Sequence, residues 1–226
     1  MEKEIKSEGK CLFCGKTFAK AGINRHLATH LKDKTVNGEQ GKSFLVKIET
    51  DKRWGNTPYF LSLWVDGETT MKTIDKFLRD IWLECCGHLS EFENVSMSKK
   101  AKDIFEKGIH LDYEYDFGSS TLLTITVMDE YPVKADKKIT LLSRNEPLEI
   151  MCSICGKVPA TQICTVCLYE NNASFCDKCA KKHAKTCEDF ADYTAMPVVN
   201  SPRMGECAYV GGTIDTERDG AFILKK

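Results

Sequence analysis

Short runs of mainly hydrophobic residues in the central region of the chain are typical of β-strands. The runs Phe44–Glu49 and Tyr59–Val65 predict two strands joined by a turn around residues 54–58. Thr69 or Thr70 is then suited to begin a helix. Its apolar residues recur at helical spacing and should form a buried stripe, made of Ile74, Phe77, Leu78, Ile81, Trp82 and Cys85.

Short β-strand patterns continue through the rest of this region. Residues 39–43 before it are polar and contain glycine, which is typical of a linker. The fold predicted for residues 43–145 is therefore α+β, a central mixed domain with a largely antiparallel sheet. Its later strands are expected at Leu89–Val95, Leu111–Phe117, Leu122–Met128 and Ile139–Leu142, with a helical turn at Ala101–Lys107.

A first set of metal-ligand residues precedes this domain. Two cysteines separated by two residues are followed by two histidines four positions apart, which share one face of a helix. The segment, residues 9–34, resembles a Cys2His2-type zinc finger, although Gly9 stands where such fingers often carry an aromatic residue. The expected ligands are Cys11, Cys14, His26 and His30.

The finger is rich in basic residues, which favours contact with DNA or RNA. Lys16, Lys20 and Arg25 are the residues expected to contact phosphates. A structural or protein-docking finger with a solvated basic face is the alternative.

The region 150–190 holds a second and larger set of ligands. Its residues resemble cross-braced zinc modules of the MYND and B-box type, and Phe175 matches the aromatic residue that often precedes their third pair. Eight ligands suffice for two tetrahedral zinc ions. The expected ligands are Cys152, Cys155, Cys164, Cys167, Cys176, Cys179, His183 and Cys187.

Two arrangements of these eight ligands are open. In a sequential arrangement the first four residues bind one ion and the last four bind the other. In an interleaved arrangement, which we prefer, the first and third pairs share one ion and the second and fourth pairs share the other. Either arrangement gives three zinc ions per chain with the finger, all structural, because four protein ligands leave no position for water.

Three further cysteines stand apart from these motifs. We expect Cys85, Cys86 and Cys207 to be packed or incidental thiols. Residues 191–226, which contain the last of them, are expected to form a tail that packs back on the central domain.

Composition and charge limit the functional classes. The 226-residue chain has a net charge of −1, so charged recognition must be local. Its first residues are charged and form no apolar signal segment, and nine of its twelve cysteines stand at metal-ligand spacings. These features predict a cytoplasmic protein with reduced thiols and no membrane span.

Several segments of the central domain resemble the plasmid pRiA4b ORF-3-like family. They are HLSEFE (His88–Glu93), the helix before it, and YEYDFGSSTLLTITV (Tyr113–Val127). Leu141–Pro147 and Pro197–Gly212 are similar to the tails of some members. The resemblance implies an α+β fold and a loose association with mobile elements, but no agreed activity. Ser119 departs from the family, whose members usually carry an aspartate there.

A catalytic role is the second hypothesis for the central domain. His88, Glu91 and Asp116, with Glu114 nearby, form a polar set that could bind a divalent metal or act as acid and base. Strand alternation and a turn at Asp116 explain the same residues without catalysis.

Three functions therefore remain open, with a non-enzymatic one preferred. The first is a zinc protein that binds nucleic acid, with a protein partner at the Cys-rich module. The second is an enzyme acting on nucleic acid or nucleotide, and the third is a protein–protein adaptor. A further basic face for the first function could come from four lysines, for which a solvated helix surface is the simpler account. They are Lys178, Lys181, Lys182 and Lys185.

Overall fold

A computed structural model describes residues 7–51, 58–170 and 173–219 of the protein. The turn expected around residues 54–58 lies almost entirely outside these ranges. Among the described residues, every helix is too short or too polar to span a lipid bilayer.

The chain folds into two compact units, each made of two stretches of sequence. The first contains residues 1–78 and 88–146, and the second contains residues 79–87 and 147–226. The fold is α+β with a largely antiparallel sheet, as the sequence predicts.

The first unit begins with a β-hairpin and a long helix and continues into a sheet with two short helices. The elements in chain order are β1 (Glu8–Lys10), β2 (Thr17–Ala19), α1 (Lys20–Lys34), β3 (Gln40–Thr50), β4 (Phe60–Asp66), α2 (Met71–Leu78), β5 (Ser90–Phe92), α3 (Ala101–Ile104), β6 (His110–Tyr115), β7 (Thr121–Val133) and β8 (Ile139–Arg144).

Six strands of the first unit form one sheet in the order β5-β6-β7-β3-β4-β8, with every neighbouring pair antiparallel. The predicted linker at residues 39–43 is wrong, because β3 begins at Gln40 and pairs with Val133 of β7 there. Polar residues at the exposed end of a strand give the same composition as a linker, so composition alone does not separate the two.

Helix α1 packs on this sheet instead of standing free. Its residues Ile23, Leu27 and Leu31 recur every four positions and are fully or almost fully buried. They share an apolar core with Phe60 and Trp64 of β4. The finger is therefore part of the first unit's core.

The hairpin is joined to the sheet as well. Gly9 of β1 bridges to Asn145, and the backbone N–H of Leu12 donates to the carbonyl of Leu142 at 2.9 Å. A Cβ on Gly9 would lie 2.6 Å from the ring of Phe60 and 2.6 Å from Oγ of Ser143. This close approach explains why the aromatic residue expected at position 9 of a finger is absent.

The second unit is smaller and is built around the Cys-rich region. Strands β9, β10 and β11 form an antiparallel sheet in the order β10-β9-β11. The elements are β9 (Gln162–Cys164), β10 (Ser174–Phe175), α4 (Asp177–His183), β11 (Ala195–Pro197) and α5 (Thr216–Asp219).

A segment from the middle of the sequence belongs to this second unit. The stripe predicted as one helix ends as α2 at Leu78, and residues Arg79–Leu83 form a π-helical turn. The tail bonds to this turn, because Ser201 Oγ donates to the carbonyl of Trp82 at 2.7 Å and the Thr213 N–H donates to that of Asp80 at 2.7 Å.

Candidate metal centres

The first candidate centre lies between the hairpin and α1. Cys11 and Cys14 occupy the turn between β1 and β2, which closes through a 2.8 Å bond from the Gly15 N–H to the Cys11 carbonyl. His26 and His30 stand one helical turn apart on α1. All four ligand atoms lie within 4.8 Å of one another, so the group could hold a metal ion.

The separations within this group suit a tetrahedral ion. Cys14 Sγ lies 3.3 Å from His26 Nε2, and the two histidine Nε2 atoms are 3.2 Å apart. Zinc bonds of about 2.3 Å to sulfur and about 2.0–2.1 Å to nitrogen place neighbouring donors about 3.3–3.8 Å apart. The donors therefore already stand at the spacing that a shared ion requires.

Aromatic rings pack against both histidines, and burial and charge favour the metal-binding form of His26. Phe18 stacks on His26 with ring centroids 4.1 Å apart, and Phe13 packs against His30 at 5.0 Å. Burial, the neighbouring His30 and Lys16 all lower the pKa of His26, which favours the neutral imidazole. Neutral imidazole is the ligating form.

The Cys-rich region forms two further groups in the interleaved arrangement. Each group has its ligand atoms within 4.8 Å of one another and could hold a metal ion. The first and third pairs come together, as do the second and fourth. The groups are Cys152, Cys155, Cys176 and Cys179, and Cys164, Cys167, His183 and Cys187.

Helix α4 carries ligands of both groups. Cys179 lies in its first turn and His183 at its end, so one short helix faces two centres. Cys155 Sγ lies 4.0 Å from Cys176 Sγ in one group, and Cys167 Sγ lies 3.6 Å from His183 Nε2 in the other. Phe175 stacks on His183 with ring centroids 4.3 Å apart and fixes its plane.

Each of these two groups contains one thiol with a lowered pKa and one thiol with a raised pKa. Burial acts to raise the pKa of Cys152, but hydrogen bonds from the backbone of Cys176, Cys155 and Ile154 outweigh it and lower the pKa to about 6. Burial and the thiols of Cys176 and Cys152 raise the pKa of Cys179 to about 12. Crowded thiols of this kind ionise together only beside a cation, which is the environment a metal supplies.

The second of these groups repeats the pattern. Burial acts to raise the pKa of Cys164, but bonds from Thr194, Cys167 and His183 lower it to about 6. Burial and the thiols of Cys164 and Cys187 raise the pKa of Cys167 to about 12. Both groups therefore show the same pattern of thiol pKa values, and α4 contributes residues to both.

The three basic residues expected on the finger differ in their surroundings. Lys16 and Arg25 are exposed. Lys20 instead forms an ion pair with Glu49 of β3, with 2.9 Å between Nζ and Oε1 and both side chains largely buried. The prediction that Lys20 contacts phosphate conflicts with this pairing, because the ammonium already neutralises a carboxylate.

The candidate catalytic set is only partly assembled. His88 Nδ1 lies 3.4 Å from Asp116 Oδ1, and that same oxygen accepts a 3.1 Å bond from the Gly118 N–H. Asp116 has a φ of +64°, so its carboxylate stabilises a left-handed turn. Glu91 pairs with Glu114 across β5 and β6, and neither glutamate joins a metal-capable group among the described residues.

The sequence interpretation missed one group of thiols. Cys85, Cys86 and Cys207 come together in the second unit, whereas the sequence predicts packed or incidental thiols. A hydrogen bond with Cys207, burial and the thiol of Cys85 raise the pKa of Cys86 to about 12. No local spacing signals the group, because its third member is far from the other two in the sequence.

Comparisons with known proteins add little to this picture. No protein-family model matches the chain, and no curated protein is detectably similar to it. Among solved structures, the protein of unknown function MM3350 from Methanosarcina mazei Go1 is similar over 45% of this chain and 67% of its own, with 20% sequence identity and a TM-score of 0.37. A likeness at this level gives no information on function.

Proposed function

We propose that the protein is a zinc-stabilised nucleic-acid-binding protein. Three zinc ions would occupy the finger and the two interleaved groups. Each of these groups supplies four Cys or His donors, which is the complement of a closed tetrahedral site. An ion held in this way stabilises the fold and leaves no position for a catalytic water.

The observation that carries the nucleic-acid role is a row of lysines on and just after α4. Lys178, Lys181, Lys182 and Lys185 follow helical spacing and are all exposed. The ligands Cys179 and His183 face the metal groups instead. We call these four residues the α4 lysine row.

The α4 lysine row has positive charge available for a ligand. Within the described residues none of the four lysines forms an ion pair, whereas Lys20 of the finger does. Metal ions bound to Cys179 and His183 would hold α4 rigidly. Binding of a ligand would then require little ordering beyond that of the four lysine side chains. Phosphates bound there would release counterions and make binding strongly dependent on salt.

The finger would contribute a smaller share. Lys16 and Arg25 are exposed and remain candidates for phosphate contact, whereas Lys20 is engaged in its ion pair with Glu49.

We further propose, from the segments His88–Glu93 and Tyr113–Val127 alone, that the first unit is related to the plasmid pRiA4b ORF-3-like family and shares its loose association with mobile elements.

Fluorescence anisotropy with labelled DNA and RNA, single-stranded and duplex, tests this function. Replacing the α4 lysine row by glutamine should weaken binding and make the slope of log K against log salt shallower by up to about 0.9 per lysine. The matched control replaces four exposed lysines of the first unit by glutamine, with the same change in charge. They are Lys72, Lys99, Lys137 and Lys138.

Two outcomes would contradict the proposal. Equal weakening in both variants would assign binding to overall charge and not to α4. Absence of binding to all four probes at low salt would favour a protein–protein adaptor.

A further inference from the structure

The three cysteines outside the predicted motifs form a compact group of thiols. Cys85 and Cys86 follow the turn at Arg79–Leu83, and Cys207 lies in the tail. Cys86 Sγ is 3.9 Å from Cys85 Sγ and 3.5 Å from Cys207 Sγ. With them, all twelve cysteines of the chain fall into groups that could hold a metal ion.

The sulfur separations are those of thiolates that share an ion. Two sulfurs bound to one tetrahedral zinc at about 2.3 Å are about 3.8 Å apart. A disulfide would instead bring two sulfurs to about 2.0 Å. The observed values of 3.5 and 3.9 Å lie close to the first geometry, and the Cys155–Cys176 pair of the predicted sites is at 4.0 Å.

The loop that carries Cys207 is held in place by bonds within the second unit. Ser201 Oγ donates to the Trp82 carbonyl at 2.7 Å and accepts a 2.9 Å bond from the Arg203 N–H. The Tyr209 N–H donates to the Glu206 carbonyl at 2.8 Å beyond the cysteine. These bonds tie the loop to the residues just before Cys85, so the thiols meet as a consequence of the fold.

A buried cation beside the group fits a cluster of thiolates. Arg203 is fully buried, and its Nη2 donates to Cys85 Sγ at 3.9 Å. Three thiolates around a divalent ion carry a net charge of −1. A guanidinium next to them compensates that charge, as buried charges require.

We propose that Cys85, Cys86 and Cys207 bind a fourth zinc ion. Their thiol protons pass to solvent as the ion binds. The three sulfurs leave one coordination position to a further donor. Cys86 and Cys207 are exposed, so this ion should exchange more readily than the others.

Zinc counting on the purified full-length protein under reducing conditions tests the proposal. Wild type should contain one more zinc per chain than the Cys86→Ser/Cys207→Ser variant. Val210→Ala, an exposed position in the same loop, is the matched control and should keep the wild-type count. A colorimetric chelator should remove one zinc rapidly from wild type and none rapidly from the double variant.

Cobalt substitution gives an independent reading. The double variant should lose about one site's share of the thiolate-to-cobalt absorption band, even if other sites hold less than a full ion. The test compares the metal content of the variant with that of wild type, and this difference does not depend on nucleic-acid binding. A failure of the α4 lysine row to bind nucleic acid would therefore leave the test unaffected.

Three results would overturn the proposal. One is an equal zinc count in wild type and the double variant. Another is full alkylation of Cys86 and Cys207 in zinc-saturated native protein. The last is a Cys86–Cys207 disulfide in protein purified without oxidant. If the double variant does not fold, Cys207→Ser alone, at an exposed position, replaces it in the same measurements.

Discussion

Lys20 and Glu49 join the first helix of the protein to the central sheet, with 2.9 Å between the ammonium and the carboxylate. Lys47 donates to the same carboxylate from within β3. A lysine of the finger segment can therefore stabilise the fold through an ion pair instead of binding a ligand.

The first prediction concerns the pH dependence of this pairing. Burial acts to raise the pKa of Glu49, but bonds from Lys47 and Lys20 outweigh it and the net pKa is lowered from 4.5. Its contribution to stability is therefore complete above the unfolded pKa and is lost as pH falls through the folded pKa. Glu49→Gln should lower the unfolding free energy by about 1–2 kcal/mol at pH 7.

The difference between Glu49→Gln and wild type should shrink as the pH falls below 4.5 and through the folded pKa of Glu49, as measured by urea unfolding at each pH. Comparing the two proteins at one pH cancels any shared loss of zinc in acid. Glu93→Gln, at an exposed glutamate, serves as the control. A difference that stays constant from pH 7 to pH 3 would show that the pair does not lower the pKa of Glu49.

The second prediction concerns Gly9, where the hairpin approaches the sheet. An added Cβ would lie 2.9 Å from the Arg144 carbonyl oxygen, which is backbone and cannot move aside easily. Gly9→Ala should therefore destabilise the protein by about 1–3 kcal/mol. Gly22→Ala is the matched control, because a Cβ there meets nothing within 4 Å and should stabilise α1 by about 0.5–1 kcal/mol. Equal effects of the two substitutions would contradict the close approach.

The third prediction concerns Leu27, which is fully buried between α1 and the sheet. Leu27→Ala should lower the unfolding free energy by about 2–5 kcal/mol in zinc-saturated buffer. Thr29→Ala, at an exposed position of the same helix, should change it by less than about 0.5 kcal/mol. A small effect at Leu27 would indicate a finger that is detached from the sheet in solution.

The fourth prediction separates the two arrangements of the Cys-rich ligands. In the Cys152→Ser/Cys155→Ser variant, Cys176 and Cys179 lose their shared ion and should become reactive towards iodoacetamide, while Cys164 and Cys167 stay protected. Mass spectrometry of protein alkylated in its native state measures the extent of alkylation at each of these four cysteines.

Lys157→Ala, at an exposed site beside the first pair, should leave all four cysteines protected. Reactivity at Cys164 and Cys167 in the double variant, with Cys176 and Cys179 protected, would instead establish the sequential arrangement.

Local sequence patterns predict several elements of the first unit. Strands β3 and β4 overlap the apolar runs at Phe44–Glu49 and Tyr59–Val65, since most side chains of these runs are buried. The three Cys-x2-Cys pairs of the Cys-rich region are likewise visible in the sequence, because such a pair needs only neighbouring residues.

Long-range features escaped the sequence interpretation for a physical reason. The docking of the hairpin depends on Gly9, whose missing side chain indicates a close approach only when the partner Phe60 is known. The thiol group depends on Cys207 meeting Cys86, a contact between distant parts of the chain that no spacing rule encodes. The predicted stripe continues past Leu78, with Ile81 and Trp82 buried, but as a π-helical turn that side-chain spacing alone does not distinguish from an α-helix.

The discontinuous second unit has a consequence for synthesis on the ribosome. Ile81, Trp82 and Leu83 are apolar and fully buried in the finished protein, but Ser201 and Thr213, which bond to this turn, are translated much later. At about 5–20 residues per second, the delay is on the order of ten seconds. During that interval the turn lacks both of these hydrogen bonds, so we expect it to reach its final structure only after the tail has been translated.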